Sequence, residues 1–183
     1  YTYYNKDIVE RVANSRKSEF PMITVTMTTC KRYKLFEKTI NSFLNCCKDI
    51  EKIDRWICVD DNSSEEDRQR MRDSYPFFTF YFKTISEKGH PQSMNIMRRL
   101  VSTPYLFHLE DDWTFFSPRS YITDCLDVLT QSDVYGQCLI NKNYTETAKD
   151  YNVLGGIPFK TSGGISYFLH EYCETPQDWE QFY

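Results

Sequence analysis

Pro104-Tyr105-Leu106-Phe107-His108-Leu109-Glu110-Asp111-Asp112-Trp113 is the stretch on which the fold reading turns. A short apolar run rich in aromatic and aliphatic residues has strand length, and it stops at consecutive carboxylates. Upstream, Trp56-Ile57-Cys58-Val59 repeats the arrangement and stops at Asp60-Asp61-Asn62-Ser63-Ser64. Ser64 can cap the charged helix that follows, with Asp67 in the third position after it. Earlier still, Ile23-Thr24-Val25-Thr26-Met27 is a β-branched run ending in Thr28-Thr29-Cys30-Lys31-Arg32. Leu35, Phe36, Ile40, Phe43 and Leu44 then recur at helical spacing.

The intervals between these strands carry the opposite period. A third strand is expected over Phe77 to Phe82, and Gly89-His90-Pro91 separates it from a helix over Gln92 to Val101. Met94, Met97, Leu100 and Val101 form one face of that helix. Ser117-Pro118 is read as a helix start, with Ile122, Leu126 and Leu129 as its apolar stripe. Past Val134 the pattern loosens around Gly155-Gly156 and Ser162-Gly163-Gly164, and a short helix is expected over Asp178 to Phe182. Strands alternating with helices imply an α/β fold: a single Rossmann-like domain over residues 1–183, with a mostly parallel central sheet flanked by helices. Residues 1–21 read as an N-terminal helical extension, 22–116 as one half of the domain and 117–183 as the other.

The chain has 183 residues, ample for a buried core, with 40% hydrophobic and 26% charged residues. A net charge of −4 argues against a nucleic-acid partner, which favours a basic face. No apolar run has the length of a transmembrane segment. The chain opens on Tyr1 rather than Met, so it is read as a piece excised from a longer protein, which could supply further domains. Seven cysteines without a C-x-x-C pair are expected to be reduced and mostly buried. The sequon Asn62-Ser63-Ser64 falls in an acidic turn, where a glycan would obstruct any ligand, and this favours a cytoplasmic location. A second sequon begins at Asn143.

In open α/β sheets, ligands bind beyond the carboxyl ends of the strands, near the point where strand order reverses. Asp60-Asp61 and Glu110-Asp111-Asp112 would both project onto that edge. Adjacent carboxylates repel and are tolerated in water or around a cation. An oxygen-rich cluster suits Mg²⁺ or Mn²⁺ shared with substrate phosphates. A solvated turn with a helix cap is the other reading of the same residues. An aspartyl-phosphate phosphatase would need Asp where Glu110 stands.

Taken in order, these motifs resemble those of the family 2 glycosyltransferases and their relatives with the GT-A fold, from Met22 to Phe182. The resemblance implies that Thr28 reaches the nucleobase and that Asp61 in Val59-Asp60-Asp61-Asn62-Ser63 contacts uracil or ribose. It pairs Gly89 with Asn95 on the donor side. It makes Leu109-Glu110-Asp111-Asp112 the equivalent of the family's Asp-x-Asp motif, with Asp112 the metal ligand, Asp111 beside the diphosphate and Glu110 near the ribose or the metal's water shell. Gly163-Gly164-Ile165 resembles the acceptor loop, and Gln177-Asp178-Trp179 the catalytic turn, with Asp178 as base and Trp179 beside it. Gln177 departs from the acidic residue usual there, and the chain ends soon after Asp178. The implied activity is inverting transfer of a sugar from a nucleoside-diphosphate donor, foremost a UDP-sugar, with Mn²⁺ or Mg²⁺ as cofactor. The acceptor hydroxyl belongs to a glycan, protein or small molecule that the sequence does not specify. A non-catalytic nucleotide-sugar-binding domain is the alternative. A nucleotidyltransferase is a third reading, weakened because Thr28-Thr29-Cys30-Lys31-Arg32 contains no glycine.

Overall fold

The computed structural model describes residues 1–140 and 154–171. The chain divides into two compact units, Tyr1–Ile122 and Thr123–Tyr183. The first is built on β1 (Ile23–Thr29), β2 (Arg55–Asp60), β3 (Thr79–Phe82) and β4 (Tyr105–Glu110). These pair in the order β3-β2-β1-β4, every neighbour parallel. The expected α/β class and parallel central sheet are therefore present. Helices α1 (Lys6–Ala13), α2 (Tyr33–Cys46), α3 (Glu65–Ser74) and α4 (His90–Leu100) belong to the same unit. Of the N-terminal extension expected over 1–21, only α1 is helical, with Asn5 as its cap and Val9 and Val12 buried.

Both faces of the sheet are covered at β1 and β2, which is why these two strands read as continuous apolar or Thr-rich runs rather than alternating ones. On one face, α2 buries Phe36, Ile40, Phe43 and Leu44. The Phe43 ring meets Trp56 of β2, Phe107 of β4 and Phe115. On the other face, Ile57 and Val59 of β2 pack with Ile96 and Met97 of α4.

Element boundaries depart from the sequence expectation where long-range contacts intervene. Phe77 and Phe78 precede β3 because Tyr75 caps α3 and the Phe78 N–H donates back to its carbonyl. Helix α4 starts at His90, earlier than expected, because Gly89 is its cap at φ +111°, a conformation open chiefly to glycine. The helix predicted to start at Ser117-Pro118 begins instead at Tyr121, as α5 (Tyr121–Leu129). Arg119 bridges to Cys47: its N–H donates to the Cys46 carbonyl and its carbonyl accepts from the Lys48 N–H. Those bonds hold Arg119 extended, so the helix cannot start before it. The buried stripe of α5 runs through Ile122, Cys125 and Val128, while Leu126 and Leu129 are only half-buried.

The second unit contains an antiparallel hairpin of β5 (Leu154–Lys160) and β6 (Ser166–Glu171). Its turn includes Gly163-Gly164, with Gly164 at φ +92°. The Thr161 hydroxyl donates to Asp127. A Cβ on Gly163 would lie 2.5 Å from the Asp127 carboxylate, so this glycine is required by close approach.

His108, mid-strand in β4, is satisfied at one nitrogen only. Its Nδ1 shares a hydrogen bond with Thr26 Oγ1 at 3.0 Å, and Nε2 is buried without a partner. Burial, then the charge of His90, pushes its pKa down to about 4. The unfolded imidazole titrates near about 6.5. The stabilisation from keeping it neutral is thus complete above that value and is lost as pH falls toward 4. His108→Gln should flatten this part of the stability profile, read from urea midpoints between pH 7 and pH 4. An unchanged slope would show that carboxylates alone govern the loss.

Candidate functional site at the carboxyl edge of the sheet

Strand order runs from β1 through β2 to β3 on one side, and β4 lies on the other side of β1. The reversal therefore falls between β1 and β4, where open parallel sheets form a crevice. Thr28 stands opposite Val59 on one side and Glu110 on the other, and Thr29 stands opposite Asp60. The two acidic turns consequently leave the sheet on either side of the end of β1.

Thr29 joins them. Its carbonyl accepts the Asp61 N–H at 2.8 Å, and its hydroxyl donates to Asp111 Oδ2 at 2.8 Å. Sequence reasoning named Thr28, which is half-buried in the strand. The bridging residue is its neighbour, whose side chain faces the opposite way.

Around β2, the acids are held by cations. Asp60 is fully buried and accepts from Arg68 Nε at 2.8 Å and from the Ser63 N–H. Asp61 Oδ2 accepts from the Gly89 N–H at 2.8 Å and pairs with Lys83 Nζ at 3.1 Å, while Oδ1 accepts from Asn62. Burial pushes the Asp61 carboxyl up, but the bonds from Asn62, Gly89 and Lys83 together outweigh it and hold the group below the usual carboxylate range. The Lys83 ammonium is itself buried and donates to the Gly89 carbonyl and to Ser93 Oγ. Asp61 thus locks the loop before α4 onto the end of β2.

Around β4, Asp111 and Asp112 part company. The Asp111 side chain is 1% exposed and is held by Thr29 and by Arg32 Nη2. The Asp112 side chain is 50% exposed and lies 3.8 Å from Arg32 Nη1. Glu110 is exposed. Arg32 comes from the loop entering α2, where Lys31 adopts a left-handed conformation at φ +55°. The Lys31 N–H is pinned to Ser63 Oγ at 2.8 Å, tying the loop after β1 to the loop after β2.

No protein-family model matches the chain, and no curated protein matches it. The functional reading therefore rests on the acidic edge itself.

Among the described residues, no three His, Cys, Asp or Glu side chains converge to hold a metal ion by themselves. Divalent ions at phosphate sites commonly take one or two carboxylates and complete their shell with phosphate and water. Exposed Asp112 and Glu110 fit that shared mode. Asp111 is engaged internally and does not present a free oxygen pair.

The remaining predicted residues divide plainly. Asn95 is exposed on α4 and makes no hydrogen bond to the acidic turns. Trp113 is exposed, with its carbonyl accepting from the Thr39 hydroxyl. Gly163 and Gly164 form the hairpin turn of the second unit. Asp178 and Trp179 lie outside the described residues, as do Gln177 and the Asn143 sequon. Of the described cysteines, Cys30 is exposed and Cys46, Cys47, Cys58 and Cys125 are buried. No helix among the described residues is long and apolar enough to cross a membrane.

Lys83, Arg68, Arg32 and Thr29 are the contributors that sequence reasoning missed or undervalued. Lys83 had a signal: a lysine closes the apolar run Phe80-Tyr81-Phe82 at the same sheet edge as two aspartates. Arg32 had a weaker one, since a basic residue shortly after the first strand is most often simply solvated.

Proposed function

We propose that the chain is a nucleotide-sugar-dependent glycosyltransferase domain of GT-A type, transferring a sugar from a nucleoside diphosphate, foremost UDP, to an acceptor hydroxyl with inversion. The observation that carries this reading is Thr29 bridging Asp61 and Asp111 where strand order reverses. Two acidic turns are thereby held on either side of the end of β1, beside that reversal, as a ligand with separated nucleoside and diphosphate ends requires. Asp61 lies on the nucleoside side; Glu110 and Asp112 lie on the diphosphate side. Asp112, assisted by Glu110, would hold Mn²⁺ or Mg²⁺, which when bound offsets the charge gathering on the departing diphosphate. Asp178 is assigned by resemblance as the base that takes the acceptor proton. The Asn62 amide nitrogen already donates to Asp61 and to the Thr84 carbonyl, so a glycan there would break the turn. We accordingly place the domain in the cytoplasm.

A second reading has its own support. Asp61 and Asp111 are both satisfied by internal cations, as befits a domain that binds donor without turnover. Calorimetric titration with UDP-sugars, with and without Mn²⁺, beside a donor-hydrolysis assay separates the two. Metal-dependent binding with hydrolysis is expected. Binding without turnover favours the second reading, metal-independent binding overturns the first, and absent binding overturns both. Asp112→Asn should abolish metal-dependent donor binding, whereas Asp178→Asn should spare binding and remove transfer. Equal loss of binding in the two variants would remove Asp178 from the role of base.

A further inference from the structure

Arg32 sits where a cation would be expected. Its two terminal nitrogens divide between the carboxylates, Nη2 on Asp111 and Nη1 3.8 Å from Asp112. A buried carboxylate is tolerated only with a counter-charge and hydrogen bonds, and among the described residues Arg32 and Thr29 supply these to Asp111. The guanidinium fork spans two acids in a way that a lysine cannot. One cation facing two acids still leaves the cluster formally negative, so a doubly charged ion would neutralise it better.

Arg32 is also free to move off Asp112. Its side chain is 49% exposed, and as the residue before α2 it makes no side-chain capping bond. It borders a groove lined with Lys31, Lys34, Arg70 and Asp67, where cations outnumber the single acid. Arg70 is already engaged over the Tyr33 ring. An anion entering that groove would find Arg32 the guanidinium nearest the acidic pair.

We propose that Arg32 is a built-in counter-cation of the Asp111–Asp112 pair, and that its contact with Asp112 is mutually exclusive with a divalent metal ion held by Asp112 and Glu110. In the metal-free protein it holds Asp111 and half-neutralises Asp112. Metal binding at Asp112 must displace its Nη1, so the bare ion binds weakly. Resting on the donor reading above, a diphosphate that accepts the released Arg32 makes the metal bind more tightly. The protein would thus take up metal and donor together rather than holding the ion in advance.

The test is Mn²⁺ binding to the full chain, read from the electron-paramagnetic-resonance signal of the free ion. Arg32→Gln should bind Mn²⁺ alone more tightly than wild type, by about fivefold or more, the lower range of coupling between competing sites. Arg32→Lys, which keeps the charge but loses the fork, should fall between. Arg32→Gln should also melt lower than wild type without metal and recover on adding Mn²⁺, a readout that needs only partial folding. Adding Asp112→Asn to Arg32→Gln should remove the gain. Affinity equal to or below wild type in both Arg32 variants overturns the proposal, as does a gain that survives Asp112→Asn. UDP separates this proposal from the donor reading. If the Arg32 variants gain Mn²⁺ affinity while UDP changes binding in no form, the counter-cation stands and the nucleotide reading fails. If UDP tightens Mn²⁺ binding in wild type but the variants gain nothing, the nucleotide reading stands and the counter-cation is overturned.

Discussion

Lys83→Met is expected to destabilise the Tyr1–Ile122 unit by about 3–5 kcal/mol at neutral pH, the usual cost of removing one partner of a buried ion pair. Lys83 lies at the end of β3 with its ammonium out of water, 3.1 Å from Asp61 Oδ2. Methionine fills similar length but leaves Asp61 a buried carboxylate held only by Asn62 and the Gly89 N–H. The Gly89 carbonyl and Ser93 hydroxyl lose a donor as well. The sign with pH follows from the depressed Asp61 carboxyl. Its stabilisation is present above the unfolded carboxylate range and is lost as pH falls through the folded value. The gap between wild type and Lys83→Met should therefore be widest near neutrality and narrow on acidification toward about pH 4, where even an unperturbed carboxylate is half protonated. Urea unfolding at several pH values measures it. In an Asp61→Asn background the same lysine replacement should cost less, because no charge is stranded. A full, pH-independent cost in that background would mean that the lysine acts through its stem packing instead.

The strands and acidic turns were legible because both are local: β-branched and aromatic runs set the strand, and carboxylates set the turn. Cys58-Val59-Asp60-Asp61 and Leu109-Glu110-Asp111 land where the pattern puts them, at the ends of β2 and β4. What the pattern does not carry is which charge meets which. Asp60 pairs with Arg68 from the following helix, Asp61 with Lys83 just past the next strand, and Asp111 with Arg32 from the loop after β1. Those partners are fixed by sheet order and register, which a linear reading does not supply. Thr28 and Thr29 show the sensitivity, since adjacent strand residues point to opposite faces and only one can reach Asp111. The helix-start signal Ser117-Pro118 failed for the same reason in reverse. It was locally sound, but the bridge at Arg119 held the backbone extended.

The packing beneath the acidic turn is the other place where a single change has a large effect. Phe43→Ala should cost about 3–5 kcal/mol, the range for deleting a buried phenylalanine from a core that relaxes only partly. Phe43 is fully buried on α2, its ring centroid 5.0 Å from Phe115, 5.4 Å from Phe107 and 6.0 Å from Trp56. Such aromatic pairs add to the transfer free energy of the ring itself. Phe107 precedes the carboxylate triplet in β4 and Phe115 follows it, so one ring supports both ends of the Glu110–Asp112 turn. The loss should therefore exceed global destabilisation in one respect. At temperatures where the variant stays folded, amide exchange should quicken from residue 107 to residue 115 more than in β2 or β3. Ile40→Val, buried on the same helix without an aromatic partner across the turn, should cost about 0.5–1.5 kcal/mol and leave that exchange pattern uniform. A loss below about 2 kcal/mol for Phe43→Ala would show that Phe107, Phe115 and Trp56 close into the space. The acidic turn would then be held by its polar ties, among them Thr29 and Arg32 to Asp111 and Thr39 to the Trp113 carbonyl.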